Sequence, residues 1–260
     1  MFFFSLLSSS SERFIMSVNY EEAGNPSNRT IIFVHGAGGS AATWFMQMKG
    51  LSSNFHIVAV ELNGHGKSPD RGEEDVLHSY LHDIHGIVTG FDRPILAGHS
   101  MGGALTQLYS LNHPESLSGI ILVGTGAKLR VTPVVFNLLE NDFEGYVEAV
   151  GNFMFHENTP EEMVETSKHE VRKCPVQVIR RDFELCDKFD IMDVVHQIKT
   201  PTLIIVGEKD VMTPVKYSSY LKEKIASSTM HVIEEAGHLV MFEKSGVFNE
   251  LVVNWIGTLN

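Results

Sequence analysis

The 260-residue sequence predicts an α/β fold: a mostly parallel central sheet of about eight strands, flanked by helices and interrupted by a helical insertion. Three observations predict it. Short apolar, β-branched runs alternate with segments of helical spacing, and runs that are apolar throughout belong to strands covered on both faces. Several of these runs end in loops that carry glycine together with Ser, Asp or His. Between about 127 and 197 the alternation stops, only helical spacing remains, and then the strands resume. That stretch therefore interrupts one domain and is not a second one.

In chain order, residues 13–22 carry a first β-branched run, and Thr30-Ile31-Ile32-Phe33-Val34 forms a strand that ends at His35-Gly36-Ala37-Gly38-Gly39-Ser40. A helix over 41–51 leads to the strand His56-Ile57-Val58-Ala59-Val60 and the loop Asn63-Gly64-His65-Gly66-Lys67-Ser68. The next helix covers about 74–90, with Leu77, Leu81, Ile84 and Val88 as its core stripe. A strand over 94–99, a helix from Ser100 to about 112 and a strand over 117–123 follow. In the insertion, Thr159-Pro160-Glu161-Glu162 reads as a capping box and Pro175 as a helix stop. Its apolar residues, among them Val134, Val135, Leu138, Leu139, Phe143, Tyr146, Phe153, Met154 and Phe155, are expected to pack it onto the sheet, with some facing a substrate. Its charged residues are read as a solvated outer face. Strands at 201–206 and 229–233 then alternate with helices at 214–225 and 243–257. The expected organisation is a core domain of 13–126 and 198–260, a helical cap of 127–197, and a disordered extension of 1–12, with Met16 an alternative start.

A net charge of −12 opposes attraction to nucleic acid or to an anionic membrane surface. No run approaches the ~18 apolar residues of a membrane span. The first residues lack the basic flank of a secretion signal. Cys174 and Cys186 are too few for a disulfide framework and read as reduced thiols of a cytoplasmic protein.

The chemistry centres on Pro94-Ile95-Leu96-Ala97-Gly98-His99-Ser100-Met101-Gly102-Gly103-Ala104, a buried strand running into a glycine-flanked serine and then a helix. A serine hydroxyl needs a base, a sharp turn and donors for the charge that develops on its substrate. Gly98 and Gly102 permit the turn. Asp210 lies just beyond the 201–206 strand and His238 just beyond the 229–233 strand, so acid and base follow the serine in that order. Glu208 and the acids at 187, 190 and 193 compete with Asp210; the loop Gly124-Thr125-Gly126-Ala127 offers no carboxylate. The oxyanion donors are expected to be the amides of Met101, at a helix N-terminus, and of Ala37. Gly36, Gly38, His99, Leu239 and Phe155 are expected beside the substrate. No lysine follows the 36–39 glycines at phosphate-loop spacing, so nucleotide binding is discounted. His78, His82 and His85 have metal-ligand spacing on one helix, but nothing completes a site, and no metal is expected.

Together, His35 to Gly39, Asn63 to Ser68, Gly98 to Gly103, Gly207-Glu208-Lys209-Asp210 and Ala236-Gly237-His238 resemble the α/β-hydrolase superfamily over nearly the whole chain. Within it the sequence is similar to small carboxylesterases, enol-lactonases and monoacylglycerol-lipase-like enzymes. That resemblance implies no cofactor and a helical cap inserted before the acid-bearing strand. A serine at 100 argues against the epoxide hydrolases and haloalkane dehalogenases, which use aspartate there. Members that cleave carbon–carbon bonds usually have asparagine where this chain has His99. The expectation is a carboxylesterase acting on small-molecule esters with small to medium apolar acyl or aryl groups. A lactonase, a carbon–carbon hydrolase and a ligand receptor on the same scaffold are its rivals, and a homodimer is left open.

Overall fold

The computed structural model describes residues 18–259. The expected extension of 1–12, Met16 and the first part of the 13–22 run lie outside these residues. The elements run β1 (Tyr20–Ala23), β2 (Thr30–Val34), α1 (Phe45–Leu51), β3 (His56–Val60), α2 (Val76–Val88), β4 (Ile95–His99), α3 (Met101–Asn112) and β5 (Gly119–Val123). Four helices follow: α4 (Pro133–Asn141), α5 (Phe143–Phe153), α6 (Glu161–Val171) and α7 (Val176–Lys188). The chain closes with β6 (Thr202–Gly207), α8 (Val215–Lys224), β7 (Ser228–Ile233), α9 (Val240–Glu243) and α10 (Ser245–Ile256).

The sheet has seven strands among the described residues, not about eight, in the order β1-β3-β2-β4-β5-β6-β7. Every pair is parallel except β1 with β3, where Tyr20 lies opposite Val60. Strands β2 to β6 are buried at every position, as their unbroken apolar runs require. Successive side chains point to opposite faces. One face packs Ile32, Val34, Leu96 and Leu122 against α2, α3 and α8; the other packs Ile31, Phe33, Ala97 and Ile121 against α1, α9 and α10.

Strand order positions the site. From β2 the chain moves outward to β3, then returns across β2 to β4. The loops after β2 and β4 therefore open side by side where the winding reverses, the crevice in which open α/β sheets bind ligands. Strands β5, β6 and β7 follow in sequence, so the loops after them line the same edge.

Local readings differ from the structure where long-range contacts intervene. The buried face of α2 is Ser79, Tyr80, Asp83, Ile84, Ile87 and Val88, while Leu77 is exposed. Polar Tyr80 and Asp83 are held inside by hydrogen bonds, which a hydrophobic stripe cannot reveal. The capping box at Thr159 does not form: Pro160 is the N-cap, and the Thr159 hydroxyl donates to Glu243 Oε1 at 2.6 Å. Pro175 starts α7, where its missing N–H costs nothing, and does not stop α6, which ends at Val171.

The four helices between β5 and β6 have a small core of their own, in which Leu139, Tyr146, Val147, Val150, Val178 and Ile179 are buried together. Val134 and Phe153, expected to pack, are exposed, and Phe155 joins the main core. The two ends of the stretch pair with each other: Ile191 N–H donates to Ala127 O at 2.8 Å and Leu129 N–H to Phe189 O at 3.2 Å. Cys174 and Cys186 are buried and unpaired.

Candidate active site

Ser100 sits between β4 and α3 with φ +52° and ψ −114°, outside the regions an L-residue prefers. Such a conformation costs about 1–3 kcal/mol and persists only where its surroundings over-determine it. Here they do. Ser100 N–H donates to Val123 O at 2.9 Å, and the Thr125 hydroxyl donates to Ser100 O at 2.9 Å. Gly98 and Gly102 are required by close approach. A Cβ on Gly98 would run into Gly102 O, and one on Gly102 into Val34 O and His35 O, all of them backbone atoms.

The loop after β2 backs onto the serine, since a Cβ on Gly36 would lie 3.3 Å from Ser100 Cβ. Gly39 N–H closes a turn to Gly36 O at 3.1 Å, and Gly38 N–H donates to Asp182 Oδ2 at 2.9 Å. The Ala37 and Met101 amides have no acceptor among the described residues. Met101 N–H also lies at the positive end of the α3 dipole.

Asp210 and His238 arrive from the ends of β6 and β7, and His238 Nδ1–H donates to Asp210 Oδ2 at 2.8 Å. Asp210 Oδ1 accepts from the Met212 and Thr213 amides at 2.9 and 2.8 Å, and Oδ2 also accepts from the Thr213 hydroxyl at 2.7 Å. Burial pushes the Asp210 carboxyl up, but the His238 imidazole and the Thr213 donors outweigh it and hold the group below its ordinary range. Gly124, at the end of β5, fits beneath the pair: a Cβ there would lie 3.2 Å from His238 Nδ1. With Nδ1 engaged, Nε2 is the nitrogen left for proton transfer. Among the described residues Ser100 Oγ makes no hydrogen bond; in substrate-free enzymes such contacts are often long and tighten on binding.

A model of the family described as serine aminopeptidase, S33, matches residues 25–245. The chain belongs to this family of α/β-hydrolases. The hydrolase fold is shared with the structure of a thermophilic esterase, 29% identical, with TM-score 0.81, over 92% of this chain and 98% of that one. The chain is 24% identical to the human monoacylglycerol lipase ABHD6 over 93% of this chain and 79% of that protein. It is 23% identical to the 2-hydroxy-6-oxo-6-phenylhexa-2,4-dienoate hydrolase of Comamonas testosteroni, over 92% of this chain and 91% of that one.

Within the hydrolase, Gly36 and Gly38 lie in the loop beside Ser100, and His99, Leu239 and Phe155 are buried. His99 is 2% exposed, lies with its ring 4.5 Å from that of His238 and tilted 54° to it, and donates from Nε2 to His238 O at 3.1 Å. Burial and the neighbouring His238 lower its pKa to about 3, so it stays neutral and props the backbone of the loop that carries His238. Leu239 and Phe155, 7% and 8% exposed, fill the core beneath that loop. Glu208 lies outside β6 on the exposed surface. His78 and His82 are exposed with rings 6.4 Å apart, and His85 stacks on His113 at 4.9 Å. No group of three or more potential ligands among the described residues has the geometry to hold a metal. No helix among these residues is long and apolar enough to cross a membrane.

Sequence reasoning missed Thr213, Glu243 and Asp182. Thr213 lies three residues after Asp210, a spacing that suits a turn in which the aspartate accepts downstream amides. Glu243 accepts from the Gly237 and His156 amides at 2.8 and 2.7 Å as well as from Thr159, tying the histidine loop to the segment after α5. No local signal marks Asp182, whose partners are all distant in sequence, or Glu243, whose partners His156 and Thr159 lie 84 or more residues before it.

Proposed function

We propose that this hydrolase cleaves carboxylic esters through an acyl-enzyme on Ser100. The observation that carries the reading is the pair of unengaged amides, Ala37 and Met101, beside a serine held in a strained turn. Two donors placed in advance where a carbonyl oxygen gains charge suit acyl transfer. His238, oriented by Asp210, removes the Ser100 proton through Nε2 as Oγ attacks the ester carbon. The tetrahedral intermediate collapses, and the imidazolium gives its proton to the departing alkoxide. Water, deprotonated by the same imidazole, then attacks the acyl-enzyme and releases the acid. The names of the related esterase and lipase support the same chemistry.

The four inserted helices, 127–197, form a cap over this edge of the core domain, 13–126 and 198–260. The chain's net charge of −12 disfavours anionic substrates, and the esters proposed are uncharged ones with small to medium apolar acyl or aryl groups. Two buried, unpaired cysteines agree with a cytoplasmic location.

The test is steady-state hydrolysis of a p-nitrophenyl ester series by the wild type and Ser100→Ala. Turnover should continue far beyond one equivalent in the wild type and fall by about 10⁴-fold or more in the variant. A Ser100→Ala rate near that of the wild type overturns the mechanism. A single-equivalent burst in the wild type points instead to a binding protein.

A further inference from the structure

Asp182, on α7, is a charged residue wholly buried between the inserted helices and the sheet domain. Every partner it has lies on the other side of that junction. Oδ2 accepts from Gly38 N–H at 2.9 Å and from His65 Nε2 at 2.8 Å, and Oδ1 accepts from the Tyr80 hydroxyl at 2.6 Å. The other His65 nitrogen, Nδ1, faces Asn63 O at 3.2 Å. Both ring nitrogens thus face oxygen acceptors. Burial pushes the Asp182 carboxyl up, but His65, Tyr80 and the Gly38 amide together hold it below its ordinary range.

The position of this carboxylate in the active-site loop matters more than its stability. Gly38 has φ +66° and is adjacent to Ala37, whose amide is one of the two unengaged donors. One turn earlier on α7, Ile179 packs against the same glycine, since a Cβ there would lie 3.0 Å from Ile179 Cγ1. By capturing the Gly38 amide, Asp182 fixes the rotation of the 36–39 loop and leaves the Ala37 N–H directed at the substrate side. We infer that Asp182 is a positioning residue for the oxyanion hole, so that one donor of the hole is set from the inserted helices and not from the sheet domain alone. This inference rests on the ester-hydrolase reading above.

A loop free to rotate weakens a contact made chiefly in the transition state, so the loss falls on kcat and not on KM. Asp182→Ala should lower kcat on p-nitrophenyl butyrate by about 10- to 100-fold, less than the loss of an oxyanion donor outright, with KM within about 3-fold. A boronic acid that mimics the tetrahedral intermediate should lose affinity by the same factor as kcat/KM. Asp182→Asn should recover most of the activity. Its carbonyl oxygen can take both donors that Oδ2 takes now, and its NH₂ faces Tyr80 Oη, which also accepts from Arg181 Nε at 3.1 Å and turns its own proton aside. That rescue separates placement of the loop from the effect of the charge. If Asp182→Ala does not accumulate as folded protein, Asp182→Ser, whose oxygen stops one bond short of Gly38, takes its place with the same expected loss. A kcat and boronate affinity near wild type in the folded variant overturn the inference while the hydrolase reading stands, and so does a loss that appears wholly in KM. A wild type without Ser100-dependent turnover removes the hydrolase reading and this inference with it.

Discussion

Replacing Asp210 with asparagine removes one charge while changing almost no volume, and the structure dictates how the new side chain must sit. Oδ1 accepts two backbone amides, from Met212 and Thr213, and neither amide can reverse its polarity. The carboxamide oxygen therefore has to occupy the Oδ1 position, which puts the NH₂ group at Oδ2, facing His238 Nδ1 and the Thr213 hydroxyl. The hydroxyl can rotate to accept. The imidazole can accept only by moving its proton from Nδ1 to Nε2, which removes the lone pair that would take the proton from Ser100. In serine hydrolases of this arrangement the wrong tautomer costs about 10³- to 10⁴-fold in kcat, equivalent to about 4–5.5 kcal/mol. Folding should suffer far less, by about 1 kcal/mol or 2–4 °C in Tm, because each backbone donor keeps its acceptor. Steady-state kinetics on p-nitrophenyl butyrate, with thermal melts of the same samples, checks both figures. A kcat loss below tenfold in a folded Asp210→Asn variant would refute the orienting role given to Asp210.

Acid should destabilise the fold through its buried histidines. Burial, reinforced by a neighbouring histidine, lowers His35 and His99 from 6.5 to about 3, so as pH falls below 6.5 the unfolded chain binds two protons that the folded chain refuses. Stability therefore falls as pH falls across that window, by on the order of 3 kcal/mol per pH unit for the two together. Urea midpoints at pH 7, 6 and 5 measure this, and an NMR titration of His99 near 6.5 would count against it. Gly102→Ala forces a methyl group into Val34 O and His35 O, and should lower Tm by about 5–10 °C while abolishing turnover; a folded, active variant would show that the elbow can relax. Glu243→Ala leaves three donors without their acceptor and should cost about 2–4 kcal/mol in a urea melt, with a matching loss of kcat as the histidine loop loosens. A variant with unchanged stability would show that the loop is held elsewhere.

Much of the candidate site could be read along the chain because its parts are local. The glycines two residues either side of Ser100 mark a strand-to-helix turn by their spacing alone, and Asp210 and His238 each follow a strand within a few residues. The glycines at 36, 38 and 39 mark a tight loop for the same reason. What the sequence does not carry is partners distant along it. His99 stands beside Ser100, and its ring reaches a carbonyl 139 residues away. Thr159 looked like a helix cap and is captured by Glu243, 84 residues on.

The sequence by itself determined the α/β class, the glycine-flanked turn at Ser100, and the placing of Asp210 and His238 after later strands, because apolar runs, turn glycines and strand-end residues act over a few bonds. It could not determine which loops meet. That followed from the order of strands in the sheet, where the return of the chain across β2 set the 36–39 loop beside Ser100. Nor could it separate Asp182 from the charged residues around it on α7. An aspartate on a polar helix reads as solvated. Only the packing of that helix onto the loops carrying Gly38 and His65 and onto α2 removes the water and supplies three donors in its place.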